Sequence, residues 1–146
     1  MRVFDRFKPT RTSKLPSAYL IPAGASKVVD MLRLQGIKVE QLIQPWSGSI
    51  SVFSISESIV ARNAFQGHRL VRLEGKYGDR GWTSAAGSYV VRTAQPLGVL
   101  AFDLLEAESL DGVAAWGLFG EDWSQIKEFP IGKVFGAVNA VTVALD

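Results

Sequence analysis

Arg69-Leu70-Val71-Arg72-Leu73-Glu74-Gly75-Lys76-Tyr77 decides the fold class. Val71, Leu73 and Tyr77 oppose Arg72, Glu74 and Lys76, which is the two-residue period of a strand with one buried and one wet face. On the N-terminal side, Ser49 to Ala61 is rich in Ser, Val and Ile and carries Phe53, Ile55 and Ile59 at odd positions. The two runs read as a long antiparallel pair connected through Arg62-Asn63-Ala64-Phe65-Gln66-Gly67-His68.

Further toward the N-terminus, Pro16 and Pro22 bracket Ala18-Tyr19-Leu20-Ile21, an apolar run whose bounding prolines suit a strand. From Ser26 to Gln35 the residues Val28, Val29, Met31 and Leu32 keep helical spacing, with Leu34 off the stripe and Gly36 placed for a left-handed stop. Ile37 to Ile43 follows as a strand, completing a strand–helix–strand unit. On the C-terminal side, Gly78-Asp79-Arg80-Gly81 is turn chemistry, and Ala86 to Val91 is a short strand.

Thr93 then stands as an N-cap, with Pro96 in the first helical turn. Leu97, Leu100, Ala101, Leu104 and Leu105 fall at i, i+3, i+4, i+7 and i+8, an amphipathic helix from Thr93 to Glu106. Val99 and Phe102 outside that stripe predict a helix covered on more than one side. Val113 to Phe119 is open between helix and strand, and Val134 to Leu145 reads as one or two strands. The fold class expected is α+β: an antiparallel, β-sandwich-like sheet with two packed helices.

A chain of 146 residues fits one domain able to bury about 70% of its unfolded surface. With 47% hydrophobic residues it has the material for a core, which argues against intrinsic disorder. The absence of Cys excludes disulfides and thiolate metal sites and leaves the redox compartment unread. The net charge of +2 has a local origin. Residues 1–14 carry Arg2, Arg6, Lys8, Arg11 and Lys14 against Asp5, while the remainder is slightly acidic. The expected division is therefore a basic strand or linker over 1–14 and one domain over 15–146. A basic arm on a near-neutral body is a solvated linker or a phosphate-binding arm, and the balance argues against a nucleic-acid partner. No run approaches the roughly 18 apolar residues of a membrane span, and the N-terminus lacks the apolar segment of a signal peptide. Met1-Arg2-Val3-Phe4, opening in mid-strand, suggests a segment of a longer protein.

Little catalytic chemistry is available to these residues. His68 is the single histidine, so a His-rich zinc site cannot be assembled. Asp103, Glu106, Glu108 and Asp111 lack calcium-loop spacing and read as solvated carboxylates at a helix end. There is no Gly-x-Ser-x-Gly elbow and no phosphate-binding glycine loop. No catalytic, cofactor or metal residue is assigned. Trp46, Trp82, Trp116 and Trp123 lie beside turn residues, either plugging the ends of the core or offering indole faces to a sugar. His68, Arg69, Trp82 and Trp123 are the interaction candidates.

Several segments together carry a resemblance: Leu15-Pro16-Ser17-Ala18-Tyr19-Leu20-Ile21-Pro22, Met31 to Val39, Phe65-Gln66-Gly67-His68-Arg69, and above all Ala86 to Val91 running through Thr93-Ala94-Gln95-Pro96-Leu97-Gly98 to Gly112, continued by Trp116-Gly117-Leu118-Phe119. From about Leu15 to Ile131 the chain resembles the C-terminal accessory domain of bacterial zinc carboxypeptidase-family proteins, relatives of carboxypeptidase A. The tail after Ile131 departs from that pattern. In such proteins the zinc ligands, a His-x-x-Glu pair with a distant His, lie in an upstream peptidase domain. This sequence has no His-x-x-Glu, so none of those residues carries over. The resemblance implies a non-catalytic domain without a cofactor, partnered by a zinc peptidase domain in a periplasmic or secreted protein. A freestanding sugar- or peptide-binding module and a small enzyme with an unrecognised site are the other readings.

Overall fold

The computed structural model describes residues 14–60, 71–107, 112 and 126–145. The basic segment before Lys14, the connector containing His68, and the stretch Val113 to Phe119 lie outside the described residues. Within them the elements are β1 (Ala18–Ile21), α1 (Ser26–Leu34), β2 (Glu40–Leu42), β3 (Trp46–Val60), β4 (Val71–Ser84), β5 (Tyr89–Arg92), α2 (Gly98–Leu105), β6 (Gly132–Val134) and β7 (Thr142–Ala144). The strands form one open sheet in the order β4-β3-β6-β1-β5-β2-β7, every neighbouring pair antiparallel. Neither described helix is long and apolar enough to cross a membrane.

β1 explains how the core is divided. It lies between β5 and β6, and all four of its residues are buried. Successive strand residues point to opposite faces, so Tyr19 and Ile21 enter one apolar cluster while Ala18 and Leu20 enter another. The first cluster joins Val28, Val29 and Leu32 of α1 and Ala101 and Leu105 of α2 to Phe53, Leu73 and Val91. The second joins Leu42, Ile50, Val52, Val90 and Val134 and, among the described residues, receives none from either helix. Both helices therefore pack on one face of the sheet.

The long antiparallel pair is present, with β3 and β4 matched from Trp46 opposite Ser84 to Val60 opposite Val71. Register shifts between Ile55 and Glu57, leaving Ser56 as an extra residue whose hydroxyl donates to the Glu74 carbonyl. The expected turn at Gly78-Asp79-Arg80-Gly81 is not made there. β4 runs straight through it, Gly78 opposite Val52 and Gly81 opposite Ser49, because β3 is long enough to supply ladder partners at every position.

α1 ends as its sequence predicts. Gly36 takes φ 89°, its N–H bonds the Arg33 carbonyl, and the Ile37 N–H reaches back to Leu32. Leu34, off the stripe, is 87% exposed. The following strand is shorter than expected, only Glu40–Leu42, and β5 lies between it and β1.

α2 departs from its sequence reading. Thr93 does not cap it. Its hydroxyl donates instead to the Pro16 carbonyl at 2.6 Å, tying the end of β5 to the entry of β1, and the helix starts at Gly98, beyond Pro96. The Gln95 side chain occupies the space between, its amide donating to the Lys38 and Arg92 carbonyls while its oxygen accepts from the Lys38 N–H. Coverage on two sides holds for Phe102, which packs against the first cluster, and fails for Val99, which is 75% exposed. Of the stretch Val134 to Leu145, Val134 ends β6 and Thr142–Ala144 forms β7, at the sheet edge beside β2.

Candidate functional site

Of the four interaction candidates, His68, Arg69 and Trp123 lie outside the described residues, as does Trp116. Trp82 is described. It stands on β4 opposite Gly48, and the ladder places it on the same face as Ile50, Val52, Arg80 and Ser84. Its indole is 40% exposed, with the Arg80 guanidinium carbon 5.0 Å from the ring centroid. Arg80 Nη2 in turn pairs with Glu128 Oε1. Glu128 is positioned because the segment around it adds to β3, bridging Ser54, with the Phe129 N–H bonded to the Phe53 carbonyl. Both ionic partners are well exposed, so their attraction fixes geometry more than it adds stability.

Below Trp82 opens a cleft of about 310 Å³. Its floor is Leu20, Ile50 and Val52, its walls include Pro22 and Pro130, and Ser84, Ser88 and Glu128 supply polar groups. Trp46, on the same face, is half-buried against the second apolar cluster and serves as a core plug.

Sequence reasoning missed a second constellation on the opposite face. Lys133, in the centre of β6, and Glu106, just beyond α2, are 2% and 6% exposed, with Nζ 2.9 Å from Oε2 and 3.0 Å from Oε1. Tyr19 donates its hydroxyl to Glu106 Oε2 at 2.5 Å, and Tyr77 reaches Oε1 at 3.4 Å. The Lys133 ammonium also lies 4.3 Å from the Tyr77 ring centroid. Burial first, and then the adjacent Glu106 carboxylate as hydrogen-bond acceptor and as a negative charge, push the Tyr19 phenol far above its ordinary range. Glu106 is therefore not the solvated helix-end carboxylate that its acidic neighbours suggest. The available signal was a lone Lys inside the apolar run Phe129 to Val134, where an unpaired ammonium would be prohibitive. An acid, an amine and two phenols meet here; Tyr19, Glu106 and Lys133 are buried, Tyr77 is partly buried, and none of the four borders the cleft.

A third polar tie closes the sheet edge. Arg92 Nε donates to Glu40 Oε2 at 2.8 Å, Thr142 donates to Glu40 Oε1 at 2.6 Å, and Arg92 Nη1 donates to the Val138 carbonyl. Partial burial would raise the Glu40 carboxyl, but the hydrogen bonds from Thr142 and Arg92, with the Arg92 charge, outweigh it and hold Glu40 below its ordinary value. Among the described residues no group of three or more His, Asp or Glu side chains is placed to hold a metal ion.

Comparison with known proteins finds fungal relatives of the sequence. Carboxypeptidase 2 of Trichophyton tonsurans is 31% identical over 123 residues, 84% of this chain and 22% of the relative. Carboxypeptidase 2 of Trichophyton rubrum is 30% identical over 111 residues, 76% of this chain and 21% of the relative, and that of Trichophyton equinum is 31% identical over 107 residues. The chain spans about a fifth of the length of these curated relatives. The expected kinship with carboxypeptidases is thus supported at the level of a part of such proteins, whereas the bacterial origin expected with it is not, the relatives being fungal. No protein-family profile matches the sequence, and no solved structure matches it.

Proposed function

We propose that this chain is a non-catalytic accessory domain of a longer, zinc-carboxypeptidase-like protein, packing on or assisting its peptidase domain. The observation that carries the reading is the extent of the match: most of this chain aligns with about a fifth of proteins named carboxypeptidase 2. A single His in the whole sequence supports it, because zinc hydrolysis needs several protein ligands and an open position. On this reading residues 15–146 are the domain, residues 1–14 a basic lead-in, and the protein works in a periplasmic or secreted setting. The sheet, with an apolar cluster on each face, is read as sandwich-like.

Two measurements test the reading. The purified chain with added zinc should release no C-terminal residue from a peptide substrate, before or after chelation. A tagged peptidase domain from the same coding sequence, co-expressed in trans, should retain the chain through purification. Chelator-sensitive hydrolysis by the chain alone, or a coding sequence without a peptidase domain, refutes it.

A further inference from the structure

The cleft under Trp82 is bordered by two buried hydroxyls that have no partner among the described residues. Ser84 and Ser88 are 6% and 7% exposed and both border the cleft, yet neither hydroxyl has a hydrogen-bond partner among the described residues. Glu128 gives Oε1 to Arg80, and its Oε2 has no partner there either. Buried hydroxyls are costly to leave unpaired, so Ser84 and Ser88 call for a partner that enters from the cleft, while the more exposed Glu128 offers such a partner a further acceptor at the rim.

The chemistry of that partner follows from what surrounds it. Glu128 is already neutralised by Arg80, and among the described residues no other charged side chain borders the cleft, so a charged ligand would lack a counter-ion there. A purely apolar ligand would cover Leu20, Ile50 and Val52 but strand both hydroxyls. A polyproline segment offers carbonyls but no backbone N–H for Glu128. A pyranose ring meets each demand, with a C–H face for the indole and hydroxyls that both donate and accept. The volume, about 310 Å³, is at the lower end of small-ligand clefts (about 300–1,000 Å³), enough for one ring and too little for an extended chain.

We propose that this cleft binds one neutral pyranose ring of a glycan, stacked on Trp82 and hydrogen-bonded by Ser84, Ser88 and Glu128. The site is independent of the accessory-domain reading and holds whether or not a peptidase domain is attached.

Calorimetric titration of the 146-residue chain with cellohexaose, chitohexaose and mannohexaose, and with decaproline as the competing class, is the test. Saturable binding of at least one hexasaccharide is expected, weakened about tenfold or more by Trp82→Ala, reduced by Ser84→Ala, and kept by Trp82→Phe, with circular dichroism unchanged. Should Trp82→Ala fail to fold, Glu128→Gln at the exposed rim decides in its place, and it should weaken binding. No saturable heat with any hexasaccharide, binding that survives Trp82→Ala or the rim substitution, or binding of decaproline alone overturns the proposal.

Discussion

Lys133 Nζ lies 2.9 Å from Glu106 Oε2, and both side chains have almost no contact with water. Removing two charges from water is expensive, and their attraction repays it only while the pair is intact. Lys133→Met or Glu106→Gln alone should therefore cost about 3–5 kcal/mol, since each strands the other group. The double variant should recover much of that loss. Urea denaturation of the two singles and the double checks this, and strictly additive losses would show that the residues do not act as a pair.

The Tyr19 phenol, buried and facing the Glu106 carboxylate, holds its proton far more tightly in the folded chain than the unfolded value of about 10. A group whose folded pKa is raised contributes stability in full below its unfolded pKa and loses it as pH rises beyond. At neutral pH, Tyr19→Phe should cost about 1.5–3 kcal/mol, the range for a hydrogen bond to a charged group. Above about pH 10 the gap between wild type and variant should shrink. A gap that stays constant from neutral to strongly alkaline pH rules out Tyr19 as the source of the alkaline loss.

The legible parts of this fold were those set by local pattern. Alternation at Val71, Leu73 and Tyr77 gave the β3–β4 pair, and Gly36 gave the end of α1, because backbone period and left-handed φ depend on nearby residues alone. The misreadings occurred where distant partners overrode local chemistry. Thr93 has the chemistry of a cap but spends its hydroxyl on Pro16, 77 residues away, and the glycines of Gly78 to Gly81 are held in a strand by β3. The same holds for function. Trp82 could be named from its turn-like neighbours, whereas its cleft and its Arg80–Glu128 companions, and the buried Glu106–Lys133 pair, require elements far apart in sequence to be brought together.

Glu40 joins β2 to β5 through Arg92 and to β7 through Thr142, and those contacts hold its carboxyl below the ordinary range despite partial burial. A depressed folded pKa gives stability that is present above the unfolded value of about 4.3 and lost as pH falls through the folded one. Glu40→Gln should thus lower stability near neutrality and flatten the acid side of the stability profile. Thermal melts from neutral to about pH 3 read both effects, and an acid side as steep as in wild type would count against Glu40.

Leu105 is fully buried against the first apolar cluster, while Leu104, which the periodicity alone also puts on the core side, is only partly buried. Leu105→Ala should cost about 2–5 kcal/mol, the range for truncating a buried leucine, and Leu104→Ala less. Denaturation midpoints for the two variants give the order. The reverse order would mean that α2 presents a different face to the sheet.

Gly98 begins α2 where the chain turns back on itself after Pro96. A Cβ built on it would lie 1.9 Å from the Thr93 carbonyl oxygen, and Thr93 cannot retreat easily because its N–H and hydroxyl are both bonded to the segment entering β1. In an open helix Gly→Ala gains up to about 1 kcal/mol from backbone propensity. Here the clash should outweigh that gain, so Gly98→Ala should destabilise by about 1–3 kcal/mol, as forced overpacking does. The control is Gly24→Ala, where a Cβ would meet nothing within 4 Å and stability should change little. Chemical denaturation of both variants checks the contrast. A stabilised Gly98→Ala protein would mean that the backbone before α2 can move away, and that the tie from Thr93 to Pro16 is not what fixes the start of the helix.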